Sequence, residues 1–429
     1  MAEPERRGER RLWAWALFDV ASTPFGTVII TFVFATYFAR AVAADEVTGT
    51  ALWGWTLTAS SLTAALLSPL IGGIVDAGGP RKPWLAAATS IWVVACAGLW
   101  LVTPEAGSVL LALALVGIAN LAGESSGVFY NAMLADLAPR DRIGRWSGRA
   151  WGMGYAGGLA CLVIALVLFI QPDQPALGLS RETAEHVRIV GPMVALWLGI
   201  FALPLFLLCP DRPRAALSLA DAVNRELTTL RERVARVAGD RNLLRFLLAA
   251  MLYSDGLNTL FAFGGLYAAG TFGMSLEEVL QFGIVLNLTA GLGAVAFADL
   301  DDRLGARATV LLSLSGLILL GTAALLVSSA EAFWVVGAAL GLFIGPVQAA
   351  TRSLMARLAP AERRAEMFGL LALSGRVTAF AGPFLFGTVT LWTGTQRAGM
   401  ATILLFWLAG AALIAGVRER RPGATVIDR

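Results

Sequence analysis

Four ionisable side chains stand inside strongly apolar stretches of this 429-residue chain: Asp19, Glu124, Asp255 and Arg376. A charge at a bilayer centre costs about 2.5–3.5 kcal/mol on insertion scales, so such groups face an interior or a cavity and handle ions or substrate, or pair with one another. A carboxylate there can take up a proton or an ammonium group, and an arginine can hold an anion through paired hydrogen bonds. Each also has a local alternative. Ser22, Thr23 and Thr259 could satisfy the two aspartates, and Asn120, Ser125 and Ser126 could satisfy Glu124. Arg376 reads as the lone strong cation within the spans, to be neutralised by a buried carboxylate or by a substrate anion. Tyr130, Asn131, Tyr253, Asn258, Gln281, Asn287 and Gln348 add polar groups. Singly each suits a helix-to-helix hydrogen bond; together they mark a polar interior. The candidates for a proton or substrate site are Asp19, Glu124, Asp255, Arg376, Asn120, Tyr253, Asn258 and Gln348.

The elements that carry these residues follow from composition. Hydrophobic residues make up 57% of the chain and charged residues 15%, against roughly 45–50% and about 25% in soluble domains. The apolar residues fall into runs of the length a membrane helix needs, about 20 residues, and do not alternate as barrel strands would. Spans are expected near 13–39, 51–75, 84–102, 108–134, 149–170, 190–209, 243–269, 278–298, 308–328, 332–351, 366–392 and 398–417. Lys and Arg then divide 28 to 4 between the termini with the even-numbered loops and the odd-numbered loops. Positive charge marks the cytoplasmic side, which predicts an even span count, both termini inside and the inner membrane as location. The basic balance needs no nucleic-acid partner.

The chain repeats itself. Asp19, Ser22, Thr23 and Phe25 match Asp255, Asn258, Thr259 and Phe261; Asp76, Gly79 and Arg81 match Asp302, Gly305 and Arg307; Leu137, Pro139, Asp141 and Arg142 match Leu358, Pro360, Glu362 and Arg363. The offsets fall smoothly through 236, 226 and 221. This predicts an all-α membrane protein of about twelve spans in two parallel six-helix repeats, 1–209 and 244–429, a plan that transporters use around a central site. The repeated Asp-x-x-Gly-x-Arg loops hold Asp76, Arg81 and Lys82, and Asp302, Arg303 and Arg307. Carboxylates there can pair with arginine or with a helix amino end. With Arg142 and Arg363 they are candidate gating residues.

Segment 210–243 reads as a linker. Leu219, Val223, Leu227, Leu230, Val234 and Val237 recur at helical spacing after a Ser218–Asp221 capping box, which predicts a surface amphipathic helix. Cys96, Cys161 and Cys209 suit neither a disulfide framework nor zinc, and the single His186 excludes a histidine cluster. Neither a metal nor a cofactor is expected. Arg10 and Arg11 before the first span and Ala41–Ala43 after it imitate a signal peptide, but the apolar region is too long and contains Asp19. Paired membrane aspartates also serve intramembrane proteases, whose Gly-x-Gly-Asp surroundings Asp255 lacks.

The Asp-x-x-Gly-x-Arg loops resemble the loop signature of the major facilitator superfamily; Ala77 stands where a basic residue is usual, whereas Arg303 fits. Trp15-Ala-Leu-Phe-Asp19 with Ser22 and Phe25, Tyr130–Pro139, and Tyr253-Ser-Asp255-Gly-Leu-Asn258-Thr259 resemble the branch once called the unknown major facilitators, related to the vacuolar amino-acid effluxers of autophagy. The resemblance covers nearly the whole chain. It implies alternating-access transport of a small solute, an amino acid or related metabolite, by a monomer in the lipid bilayer. Proton coupling and outward movement are expected; a lipid or drug-like solute is the alternative.

Overall fold

The computed structural model describes residues 3–213, Thr228 and 239–419. The expected linker helix over 218–237 lies outside the described residues, Thr228 excepted. Among the described residues twelve helices are long and apolar enough to cross a membrane: α1 (Arg7–Val42), α2 (Thr48–Ala77), α3 (Lys82–Leu101), α4 (Ala106–Leu137), α5 (Arg140–Ile170), α6 (Glu185–Leu208), α7 (Arg241–Phe272), α8 (Gln281–Leu304), α9 (Ala306–Leu326), α10 (Ala330–Leu358), α11 (Ala361–Thr393) and α12 (Gln396–Ala415). The start of α1 and the end of α12 share one face with the α2–α3, α4–α5, α8–α9 and α10–α11 turns; it is called the terminal face below.

The two sets of six helices pack alike. α1 lies against α5 and α6 as α7 lies against α11 and α12. The pairs α2–α4, α3–α4 and α3–α6 recur as α8–α10, α9–α10 and α9–α12. Two equivalent crossings join the sets: α2 with α11, and α5 with α8.

The Asp-x-x-Gly-x-Arg turns show why the glycine is there. Gly79 and Gly305 take φ of +95° and +93°, the left-handed region in which a β-carbon is costly. They reverse the chain between α2 and α3 and between α8 and α9 in a few residues.

Prolines set the irregular points. Pro24 has no N–H to give Val20, and the Val20 carbonyl instead accepts from Trp197 Nε1 at 2.9 Å. Beyond Pro24 the helix loosens into π geometry over Phe25–Phe32, the kind of insertion that often attends functional sites. In α11, Pro383 cannot bond the Ala379 carbonyl. The helix stops at Val377, turns through Thr378–Phe380 and restarts at Ala381. The segment before this break packs on α2, α7 and α4; the one after it packs on α12 and α7.

Candidate functional site

On the terminal face the crossings are held by backbone and charge together. Asp76 accepts from Arg81 Nη2 at 2.8 Å and from the Glu366 amide at the start of α11 at 3.0 Å. Asp302 accepts from the Gly144 and Arg145 amides at the start of α5, at 2.7 and 3.0 Å. Each carboxylate thus crosses to a helix amino end in the other six-helix set, where orphan N–H groups and the helix dipole favour an anion. Asp136 receives Arg81 and, across the interface, Arg364. Arg212 spans both sets, with Asp136 at 3.1 Å and the Ala361 carbonyl at 2.5 Å. In the second set Arg357 pairs with Asp301, Asp302 and Glu419 at 2.8, 3.1 and 2.7 Å. Glu419 also receives the Ala306 and Arg307 amides, as Asp211 receives those of Arg81 and Lys82. Arg307 donates to the Ala415 carbonyl at 2.5 Å. Arg363 lies against Glu366. Arg142 and Arg303 are exposed.

Glycines make this closure tight. A β-carbon on Gly148 would sit 2.4 Å from the Ala294 carbonyl oxygen, and one on Gly369 2.5 Å from that of Ser68. Gly148 and Gly369 are the repeat-related pair that follows Pro139 and Pro360.

Behind the closure lies the group that sequence reasoning missed. Arg352 stands one residue beyond the tenth expected span, 332–351, but α10 continues to Leu358 and buries it. Arg376 is therefore not the lone cation within the spans. Arg352 Nη1 and Nη2 donate to Asp19 Oδ2 and Oδ1 at 2.8 and 3.2 Å, a two-point pair across the interface. The guanidinium carbon lies 5.1–5.5 Å from the ring centres of Trp15, Tyr130 and Trp151, within cation–π range. Trp15 stacks on Tyr130 at 4.7 Å and donates its indole N–H to the Tyr130 carbonyl at 3.0 Å. The sequence did hold a signal. Asn131-Ala-Met-Leu-Ala-Asp136-Leu-Ala-Pro139 aligns with Arg352-Ser-Leu-Met-Ala-Arg357-Leu-Ala-Pro360. Since Asn131 lies inside a span, Arg352 must as well.

Arg352 also borders a polar chamber of about 210 Å³ between the sets, shared with Asn131, Trp151, Tyr253, Asn258 and Gln348. Tyr253 and Thr351 share a hydrogen bond of 2.7 Å, and Tyr155 donates to Gln348 across the interface at 2.7 Å. Asn131 Oδ1 and Trp151 Nε1 are buried without a partner. The chamber therefore offers a cation flanked by a buried free acceptor and a buried free donor, with the Asn258 amide as a further polar group.

The other candidates sit elsewhere. Glu124 is not satisfied by Asn120, Ser125 or Ser126: Asn120 bonds Ser60 and Ser61 at 2.9 and 2.8 Å, while the two serine hydroxyls bond backbone carbonyls. Glu124 instead pairs with Arg376, joining α4 to α11. Nor do neighbouring hydroxyls serve the aspartates. Thr23 and Thr259 donate to the backbone carbonyls of Asp19 and Asp255, each at 2.7 Å. Neither aspartate lines the chamber or the larger cavity described below, although both are buried in the interior. Asp19 is covered by Arg352, and Asp255 is 0% exposed with neither carboxylate oxygen partnered. With Asp19 held by an arginine, the two do not form a proton-sharing dyad.

Away from the terminal face a cavity of about 750 Å³ reaches from α1 and α7 towards α8, α10 and α12. Thr23, Thr27, Thr31 and Asn287 give its wall a polar strip; Ile30, Phe282 and Leu286 are among its apolar residues. The molecule is closed on the terminal face and hollow on the other.

The match that decides the family lies over residues 139–424, which fit the family model described as "Vacuole effluxer Atg22 like". The chain belongs to the Atg22-like family. The MFS-type transporter YxiO of Bacillus subtilis is 24% identical over 95% of this chain and 94% of its own length. Autophagy-related protein 22 of Cryptococcus neoformans is 23% identical over 65% of this chain, and the match spans about half, 51%, of that longer relative. Among solved structures, the major facilitator FucP of E. coli in its outward conformation superposes with a TM-score of 0.75 at 12% identity, covering 96% of this chain and 99% of FucP. The fold is that of the major facilitator superfamily, and this Atg22-like chain is a transporter, not an enzyme.

Proposed function

We propose that this Atg22-like transporter moves a small zwitterionic metabolite, an amino acid or a close relative, outward across the inner membrane in exchange for protons, with both termini cytoplasmic. The observation that carries this reading is the Asp19–Arg352 pair beside the polar chamber. Removing either charge alone would leave its partner buried and uncompensated, which costs about 3–5 kcal/mol. A zwitterion avoids that cost. Its carboxylate takes the guanidinium of Arg352, its ammonium group takes Asp19, and one intramolecular pair becomes two intermolecular ones. Asn131, Asn258, Gln348 and Tyr253 supply neutral hydrogen-bond partners around it. A purely anionic or cationic solute would strand one of the two charges.

Closure of the terminal face with a cavity on the far side corresponds, under this orientation, to an outward-facing state. Opening would part the Asp76 and Asp302 bonds to the α11 and α5 amino ends. Reconstitution in liposomes with a panel of metabolites, while internal pH is followed, tests the reading. Substrate-dependent acidification with zwitterions supports it; flux of lipids or apolar drugs alone would replace it.

A further inference from the structure

We infer that Asp255 is the proton-carrying residue of the cycle, separate from the Asp19–Arg352 substrate site; the inference rests on the transport reading above. The repeat makes the case. Asp19 and Asp255 occupy equivalent places, as do Asn131 and Arg352. Asp19 gained an arginine partner, while the residue related in the same way to Asp255 is the neutral Asn131. Asp255 is fully buried, and no charged group pairs with either oxygen. The hydroxyl one turn along, Thr259, is committed to the Asp255 backbone carbonyl at 2.7 Å.

Charged groups on the helices packed against α7 are engaged elsewhere or, like Arg303, Glu331 and Glu362, lie exposed at helix ends. Arg352 and Arg357 of α10 hold Asp19 and the Asp301–Asp302–Glu419 cluster; Asp299, the third aspartate of α8, pairs with Arg145; Arg376 of α11 holds Glu124; Arg364 of α11 holds Asp136; Arg363 and Glu366 lie together at the terminal end of α11; Arg397 of α12 donates to the Leu325 and Val327 carbonyls at the far end. On α7 itself, the Tyr253 and Tyr267 hydroxyls bond Thr351 and the Ala324 carbonyl. A bare carboxylate in such a place has nothing to offset its lost hydration. The neutral acid does not carry that penalty, and its O–H is itself a donor.

The Thr378 hydroxyl, buried at the break in α11, stands beside the Asp255 carboxyl and can accept from it. Directly after the break Gly382 rests on α7: a β-carbon there would meet Thr259 Oγ1 at 1.9 Å and the Asp255 carbonyl at 3.1 Å. The break divides the segment that packs on α2 from the segment that packs on α12, and both rest on α7. When the two six-helix sets rock, the inner segment must change its packing on α2, and Thr378 is its hinge. Movement there would open Asp255 to water, and the proton would leave to the side then exposed.

Infrared difference spectroscopy across a pH titration tests this without knowledge of the substrate. Wild-type proteoliposomes should show the C=O stretch of a protonated carboxylic acid, sensitive to D2O and lost on raising pH, and Asp255→Asn should lack it. Thr378→Val should retain the band at a shifted frequency, which keeps the test open if Asp255→Asn fails to fold. A spectrum unchanged in Asp255→Asn, or a band unmoved in Thr378→Val, overturns the inference. So does loss of the band on adding Na⁺ at constant pH, because a metal cation would then be the occupant. Counterflow by the same wild-type vesicles reports separately on the transport reading.

Discussion

Arg352 grips both oxygens of Asp19 across 333 positions of sequence and across the interface between the two six-helix sets. One residue comes from the aromatic Trp15–Asp19 stretch of α1, the other from the end of α10, and three aromatic rings surround the guanidinium. The substrate reading depends on this pair being replaceable by a zwitterion.

Breaking the pair from one side should destabilise the protein. Asp19→Asn leaves Arg352 buried without its counter-charge, a loss on the order of 3–5 kcal/mol. Thermal unfolding in detergent should show a lowered midpoint for Asp19→Asn and for Arg352→Gln. The double variant should unfold above either single one. Additive losses in the double variant would mean that the two side chains do not act as a unit.

Adding a β-carbon at the interface should loosen the terminal face. In Gly148→Ala the methyl group meets the Ala294 carbonyl oxygen, and in Gly369→Ala that of Ser68. Backbone cannot swing aside as a side chain can, so both changes should shift the population towards the state open on that face. A cysteine at Ser147, which is buried and bonded to the Ala349 carbonyl at 2.8 Å, reports on it in a background lacking the native cysteines. Maleimide labelling should be faster in both glycine variants; an unchanged rate would show that the crossings need no glycine.

The Asp302 amide bonds should act in the same direction. Asp302→Asn keeps one acceptor oxygen but loses the charge that the α5 amino end favours, worth about 0.3–1 kcal/mol or more when partly buried. Labelling at Ser147→Cys should rise by severalfold, and Asp76→Asn should do the same through α11. If neither variant alters labelling, the loops contribute to folding and not to gating.

Much of this was legible in the sequence, and for a physical reason. Span number follows from the bilayer's demand for continuous apolar length, and the pairing of helices from duplication that Asp19/Asp255 and Asp76/Asp302 make visible. The motifs Trp15–Asp19, Tyr130–Pro139 and Tyr253–Thr259 converge at the chamber and its arginine. What stayed hidden depended on where a helix ends. Hydropathy stops the tenth span at 351 because Arg352 and Arg357 are charged, yet in the fold both remain helical and find carboxylates. Partner choice was equally out of reach. Nothing local to Glu124 indicates Arg376, 252 positions away, over the serines beside it.

The measurement that bears most directly on the substrate site is counterflow in proteoliposomes, comparing wild type with Arg352→Gln. Amino acids should be compared with their N-acetyl and methyl-ester derivatives. Wild type should exchange the zwitterions and discriminate against both blocked forms by tenfold or more, a difference of about 1.4 kcal/mol. Arg352→Gln should lose that exchange. Equal flux of zwitterion and ester through wild type, or full exchange in Arg352→Gln, would contradict the assignment of the Asp19–Arg352 pair as the substrate site.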